Sequence, residues 1–314
     1  MGSNSRRTVW VGGGGGSSGG GSSVEELEES AEYVMQRASY EREVNDYFQE
    51  LLHDYNNRDV ETIRKHMNEI QNALEDVDVE KLRFGGSVSK YTYINGYSDV
   101  DILAFVDEKT YGGKSSSEAL NMIRERLEKR YPNSNIRTGN LAVTVKFSDN
   151  HELQILPAIN TSTGVRIANS ETKQWSNVIR PQNFGQQLTE VNNNNNGRVI
   201  PAIKLYKAIN SKLPKNERLS GYHIESLAVE AFKNYNGSYS NKDTLLHLSK
   251  YIKKNVNRNI RDSTGQSIRV DEYLGPKNSH EREKRRKAVS KKTTLMEEAD
   301  MDSSVDRWKR IMEN

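Results

Sequence analysis

Residues 85–105 run Gly85-Gly86-Ser87-Val88-Ser89-Lys90-Tyr91-Thr92-Tyr93-Ile94-Asn95-Gly96-Tyr97-Ser98-Asp99-Val100-Asp101-Ile102-Leu103-Ala104-Phe105, and the fold turns on how this stretch is read. Val100, Ile102, Leu103 and Phe105 give its end the character of a strand. A period of two then sets Asp99 and Asp101 on one face while Val100 and Ile102 enter a core. Two hard oxygen ligands side by side suit Mg²⁺, which takes one or two carboxylates and completes its shell with water and substrate phosphate. Upstream, Gly85, Gly86 and Ser87 can bring bare backbone N–H groups and a hydroxyl against a phosphate chain, because glycine permits a tight turn and close approach to an anion. Alone, each half is weak: Gly-Ser pairs mark ordinary turns, and an Asp-x-Asp more often lies on a solvated edge. Their conjunction carries the reading.

Outward from this stretch the periodicity is regular. Upstream, Tyr40, Val44, Tyr47, Phe48, Leu51, Leu52 and Tyr55 recur at helical spacing as one buried stripe, and Val60, Ile63, Met67, Ile70 and Leu74 define a second helix capped by Asn57 or Asp59. Downstream, residues 115–130 form a helix with Leu120, Ile123 and Leu127 inward, stopped by Pro132. Two strands follow, over 141–147 and 152–158, joined at Asp149-Asn150. Near the end, Trp308 and Ile311 are spaced to anchor a final helix on the core.

Composition sets the outer limits. The 314 residues, 34% hydrophobic with a mean hydropathy of −0.86, are enough for two modest but polar domains. No apolar run approaches the roughly 18–20 residues needed to span a bilayer, and no secretory segment opens the chain. With no cysteine, disulfides and thiolate zinc sites are excluded, and the expectation is a soluble cytoplasmic protein with no membrane association. The six histidines are scattered singly without zinc-ligand spacing, so the aspartates are the expected metal site. The net charge of +3 hides an asymmetry, since acids dominate residues 24–80 and bases dominate 250–292, where Lys253, Lys254, Arg258, Arg261 and the run Arg282 to Lys287 lie. Solvated helix faces account for both, and the basic half also suits a polyphosphate or nucleic-acid activator. Residues 1–23 stand apart. Gly12 to Ser23 are a Gly/Ser tether of engineered regularity, and Ser3 to Val11, ending Thr8-Val9-Trp10-Val11, read either as a tag remnant or as a tethered peptide ligand.

Gly86-Ser87, four intervening residues, Thr92 and then Asp99-Val100-Asp101 in an apolar strand resemble the DNA polymerase β-like nucleotidyltransferases. Within them the chain is similar to the bacterial cGAS/DncV-like nucleotidyltransferases (CD-NTases), which make cyclic di- and trinucleotide signals in antiphage (CBASS) defence. The resemblance implies a two-lobed α+β fold, with a mixed sheet in the N-terminal lobe and a helical C-terminal lobe. It also implies nucleoside triphosphate substrates, with Mg²⁺ or Mn²⁺ held by Asp99 and Asp101 and phosphate held by Gly86 and Ser87. The family's third acid falls on Gln154, within Leu153-Gln154-Ile155-Leu156-Pro157-Ala158. An amide contributes no charge there and cannot accept a proton. Glu152 faces the same side but starts about 7 Å away, and reads as a hairpin surface residue. In Ile203-Lys204-Leu205-Tyr206-Lys207 the second lysine, Lys207, matches the family's triphosphate-reaching lysine, and Leu219-Ser220-Gly221-Tyr222-His223 resembles the Ser-Tyr-His segment of cyclic GMP-AMP synthase, which makes Ser220 and Tyr222 nucleotide contacts. Asp271 to Pro276 with Ser279 to Arg282 resembles the family's end segment, and HORMA-like partners that clasp short peptides give the N-terminal arm a setting.

The expected organisation is a tethered peptide and linker over 1–23, a catalytic core over 24–165 and a helical lobe over 166–314. Two alternatives stay open: a nucleotide- or partner-binding pseudoenzyme, which Gln154 supports, and an RNA-end nucleotidyltransferase, because the resemblance in Gly-Ser and Asp-x-Asp extends across the superfamily.

Overall fold

The computed structural model describes residues 24–57, 59–97, 99–149, 151–169 and 172–314. The N-terminal arm with its tether, Ser98, and the Asn150 half of the expected turn lie outside the described residues. The chain divides into two compact units, Met1–Ser39 and Tyr40–Asn314. Helix α1 (Val24–Asn56) contributes to each. The second unit holds the whole sheet and every helix after α1.

The sheet has six strands: β1 (Val79–Phe84), β2 (Val100–Val106), β3 (Asn135–Thr138), β4 (Val143–Lys146), β5 (Glu152–Thr161) and β6 (Gly164–Ile167), in the order β1-β2-β5-β4-β3 with β6 on β5. β2 and β5 run parallel and the remaining pairs are antiparallel, so the sheet is mixed. The parallel register sets Asp101 opposite Gln154, with Val100 opposite Leu153 and Ile102 opposite Ile155. Alternation along β2 buries Val100 and Ile102, as their spacing dictates. α2 (Val60–Ala73) and α4 (Ser116–Arg130) cover this face with Ile63, Ile70, Leu120, Ile123 and Leu127. Asp59 caps α2, and Ser115 with Glu118 closes a capping box on α4.

A short α3 (Glu108–Tyr111) follows β2, and six further helices build a second core: α5 (Pro181–Asn194), α6 (Val199–Ser211), α7 (Gly221–Phe232), α8 (Asn241–Asn255), α9 (His280–Met301) and α10 (Val305–Glu313). The aromatic stripe of α1 enters it from Tyr40 onward. Phe48 meets Trp308 edge-on at 5.4 Å, and Trp308 Nε1 donates to Tyr40 Oη at 2.8 Å. Two cores, one under a mixed sheet and one among helices, make the expected two-lobed α+β arrangement. The basic run of α9 is not uniformly a solvated face, because Arg282 is buried and donates to Asp271 Oδ2 at 3.1 Å and to Gly275 O at 2.8 Å. Among the described residues no helix is long and apolar enough to cross a membrane.

Candidate active site

The turn at Gly86 and the carboxylate of Asp101 are built against each other. Gly86 has a φ of +49°, and a Cβ added there would lie 1.8 Å from Asp101 Oδ2. Only glycine admits both the left-handed backbone and that approach. Gly85 N–H donates to Asp101 O at 2.9 Å, and Thr92 N–H to Ser87 O at 3.0 Å, so Ser87 is held in a closed loop over the end of β2.

Asp99 is exposed and Asp101 half-buried on the same strand face. Burial first, and then the charge of Asp99, push Asp101 up to about 6, while Lys90 and Lys207 pull in the opposite direction. Two carboxylates, one raised by the charge of the other, beside a glycine turn are a donor set suited to a divalent cation. Gln154 joins them: its Nε2 donates to Asp99 Oδ2 at 2.8 Å. The third family position is thus brought to the aspartates with an amide in place of the acid. Glu152 instead accepts from Arg137 Nη2 at 2.9 Å on the hairpin.

The helical side contributes a second cluster around Glu225, which sequence reasoning missed. Its side chain is 1% exposed and accepts from Lys90 Nζ at 2.5 Å, Lys207 Nζ at 2.6 Å and Thr92 Oγ1 at 2.5 Å. Lys207 Nζ also reaches Thr92 Oγ1 at 3.1 Å. Lys204 turns elsewhere and donates to Asn56 Oδ1. Burial would raise Glu225, but Lys207 and Lys90 more than offset it and hold the carboxylate ionised. A lone acid at Glu225, among Ile224, Leu227 and Ala228 of an apolar helix, was the available signal.

Ser220 caps α7 by accepting from His223 N at 3.1 Å, and its own N–H donates to Tyr273 Oη at 2.9 Å. Tyr222 donates to Asp262 Oδ1 at 2.7 Å and meets Phe184 edge-on at 4.8 Å. Burial first, and then Asp262, raise its phenol. Lys90 Nζ lies 5.4 Å from the Tyr222 ring centre, which links the tyrosine to the Glu225 cluster. Beside Ser89 and Lys90 opens a cavity of about 580 Å³ bounded by Gln182, Gln186, Thr189 and Asn193 of α5.

One juxtaposition escaped linear spacing altogether. His66 of α2, and Asp149 and His151 just before β5, present their ligand atoms within 4.8 Å of one another.

Sheet, glycine turn and neighbouring carboxylates form an arrangement that can hold a divalent cation beside a phosphate chain. Residues 43–192 match the sequence model of the Second Messenger Oligonucleotide or Dinucleotide Synthetase (SMODS) domain. No curated protein matches the sequence. Among solved structures it is similar to the STING-associated CdnE c-di-GMP synthase of Capnocytophaga granulosa, at 20% identity and TM-score 0.56 over 76% of this chain and 80% of that one. CdnC of E. coli MS115-1, solved as a complex with HORMA-deltaN, matches at 14% identity and TM-score 0.61 over 80% and 90%. CdnG of Bradyrhizobium diazoefficiens, solved with GTP, matches at 13% identity and TM-score 0.60 over 87% and 94%.

Proposed function

We propose that the chain binds nucleoside triphosphates and belongs to the machinery that joins them into cyclic oligonucleotide signals, with its own turnover held low by Gln154. The observation that carries this reading is the meeting at Asp101 of the glycine turn from one side and of the charge of Lys207 from the other. The reaction is in-line attack of a ribose hydroxyl on the α-phosphorus of an NTP, with an O–P bond forming as the bond to pyrophosphate breaks.

In this reading Gly86 N–H and Ser87 receive the phosphates, and Lys207 supplies charge to them from its seat on Glu225. Lys90 shares that seat and approaches from the ring of Tyr222, whose anchored hydroxyl fixes the plane on which a base can stack. Mg²⁺ or Mn²⁺ held by Asp99 and Asp101 would neutralise the triphosphate and lower the barrier to attack by the hydroxyl. Gln154 can neither accept the proton of the attacking hydroxyl nor add charge for a second cation. The amide favours binding over turnover, which supports a nucleotide-binding pseudoenzyme as the second reading.

A role in antiphage (CBASS) signalling, and a HORMA-like partner that takes up the N-terminal peptide, belong to this proposal through the domain and fold. The test is calorimetric titration with each NTP, beside incubation with all four labelled NTPs and Mg²⁺ or Mn²⁺ followed by phosphatase treatment and separation of products. Measurable NTP binding with little or no phosphatase-resistant product supports the reading. Failure to bind any NTP refutes it.

A further inference from the structure

The cluster at the start of β5 is built from two imidazoles and a carboxylate contributed by elements far apart in sequence. His66 is buried on α2, with its ring stacked on Phe147 at 3.7 Å and 14°, which fixes the plane of the imidazole. Its Nε2 lies 2.7 Å from Asp149 Oδ2, and its Nδ1 lies 3.2 Å from Glu69 Oε2. Nδ1 of His151 is buried 3.1 Å from Asp149 Oδ1 but outside hydrogen-bonding alignment, so this ring nitrogen has no satisfied partner.

We propose that His66, Asp149 and His151 form a binding site for a first-row divalent transition ion, Zn²⁺ by preference, separate from the aspartates of the active site. The donor set decides the ion, because imidazole nitrogens select Zn²⁺ and its neighbours, whereas Mg²⁺ and Ca²⁺ take oxygen shells. Four-coordinate zinc with bonds near 2.0–2.1 Å sets its ligand atoms about 3.3 Å apart. His66 Nε2 lies 2.7 Å from Asp149 Oδ2 and His151 Nδ1 lies 3.1 Å from Asp149 Oδ1, and with one ligand atom taken from each residue the set lies within 4.8 Å, so reaching the tetrahedral spacing needs a closing movement of roughly 1.5 Å at most. In the bound form the lone pair of His66 Nε2 turns to the metal while Nδ1–H donates to Glu69. This is the carboxylate–histidine–metal relay that orients ligand imidazoles. Water reaches the fourth position past His151, whose side chain is 30% exposed. The ion would pin α2 to the residue preceding β5, the strand that sets Gln154 opposite Asp101.

The test uses the full chain with Asp99→Asn and Asp101→Asn, so that the active-site carboxylates do not contribute, stripped with a chelator and dialysed. Zn²⁺ is titrated against a chromophoric competitor, and Co²⁺ is added separately for its visible spectrum. The expected result is one equivalent of Zn²⁺, a tetrahedral Co²⁺ band, and a melting temperature raised by Zn²⁺. Both signals should vanish in His66→Ala and in His151→Gln, and Glu69→Gln should weaken Zn²⁺ by roughly 10–100-fold. His151→Gln lies at the partly exposed rim, so it reports on binding even if His66→Ala does not fold. A parent that retains no Zn²⁺, or Zn²⁺ binding unchanged in His151→Gln, overturns the proposal and leaves an imidazole clamp between two carboxylates.

Discussion

Glu225→Gln is the sharpest perturbation of this site, because it removes one charge and almost no volume. The carboxylate is 1% exposed and receives three short donors, two of them ammonium groups on side chains 16% and 10% exposed. Removing one partner of a buried ion pair costs about 3–5 kcal/mol, since the charges left behind have no solvent to turn to. For a protein of 314 residues that corresponds to a fall in melting temperature of roughly 5–8 °C. Burial already works against the charge on Lys207, and Glu225 is the main influence opposing it. Without the carboxylate, Lys90 and Lys207 face one another uncompensated, and an incoming triphosphate becomes their main source of negative charge. Thermal melts should therefore show a large loss in Glu225→Gln, partly restored by ATP, with a greater ATP-induced rise than in the parent.

The pairing is checked by a cycle with Lys207→Met. If Glu225 is held ionised by Lys207, the double variant should be more stable than the sum of the single losses, with a coupling of about 0.5–3 kcal/mol. A Glu225→Gln protein melting within roughly 2 °C of the parent, or strict additivity in the cycle, would refute the reasoning.

Gln154→Asp should raise product formation roughly 10²–10⁴-fold while changing NTP affinity little, and its melting temperature should depend on Mg²⁺ more than the parent's, because three carboxylates then share the site. Gly86→Ala forces a methyl group against Asp101 Oδ2 at an unfavourable φ, so Mg²⁺-dependent ATP binding by calorimetry should be lost and stability reduced by about 1–3 kcal/mol. Gly85→Ala meets only the movable Leu103 side chain, at 3.2 Å, and should be milder in both measurements. His223 is held down to about 4 chiefly by burial, against the pull of Asp271, so between that value and the unfolded value near 6.5 the unfolded chain binds more protons. Stability should then fall as pH drops from 7 to 5 by about 2 kcal/mol that His223→Gln does not lose, measured by denaturant melts at the two pH values.

How much of this was legible in the sequence depended on whether a residue's meaning is local. Asp99, Asp101 and Gly86 were readable because strand periodicity and the tolerance of glycine for close approach act within a few residues. β1 was not, since Val-Glu-Lys-Leu-Arg-Phe carries too many charges to look like a strand, and its pairing with the apolar β2 is what makes it one. β3 and β6 are four-residue strands, too short for a period to register. Glu225 escaped for a different reason. Its ion partners are Lys90, 135 residues away, and Lys207, 18 away. A buried acid is intelligible only once its cations are in place. His66 and Asp149, 83 residues apart, were hidden in the same way.

Gln154 was visible from the start as the wrong residue for the motif, and the fold supplies the physical sense of the substitution. An acid opposite Asp101 and near Asp99 would set three carboxylates together across β2 and β5, where like charges work against one another unless a cation is bound. The amide instead donates to Asp99 Oδ2 and contributes no negative charge. What the substitution removes is the charge and proton acceptor needed for turnover. The contacts of Gly86 with Asp101 and of Lys207 with Glu225 do not involve it. On the proposed reading, the amide at residue 154 removes chemistry before it removes binding, and a single carboxylate there should restore turnover.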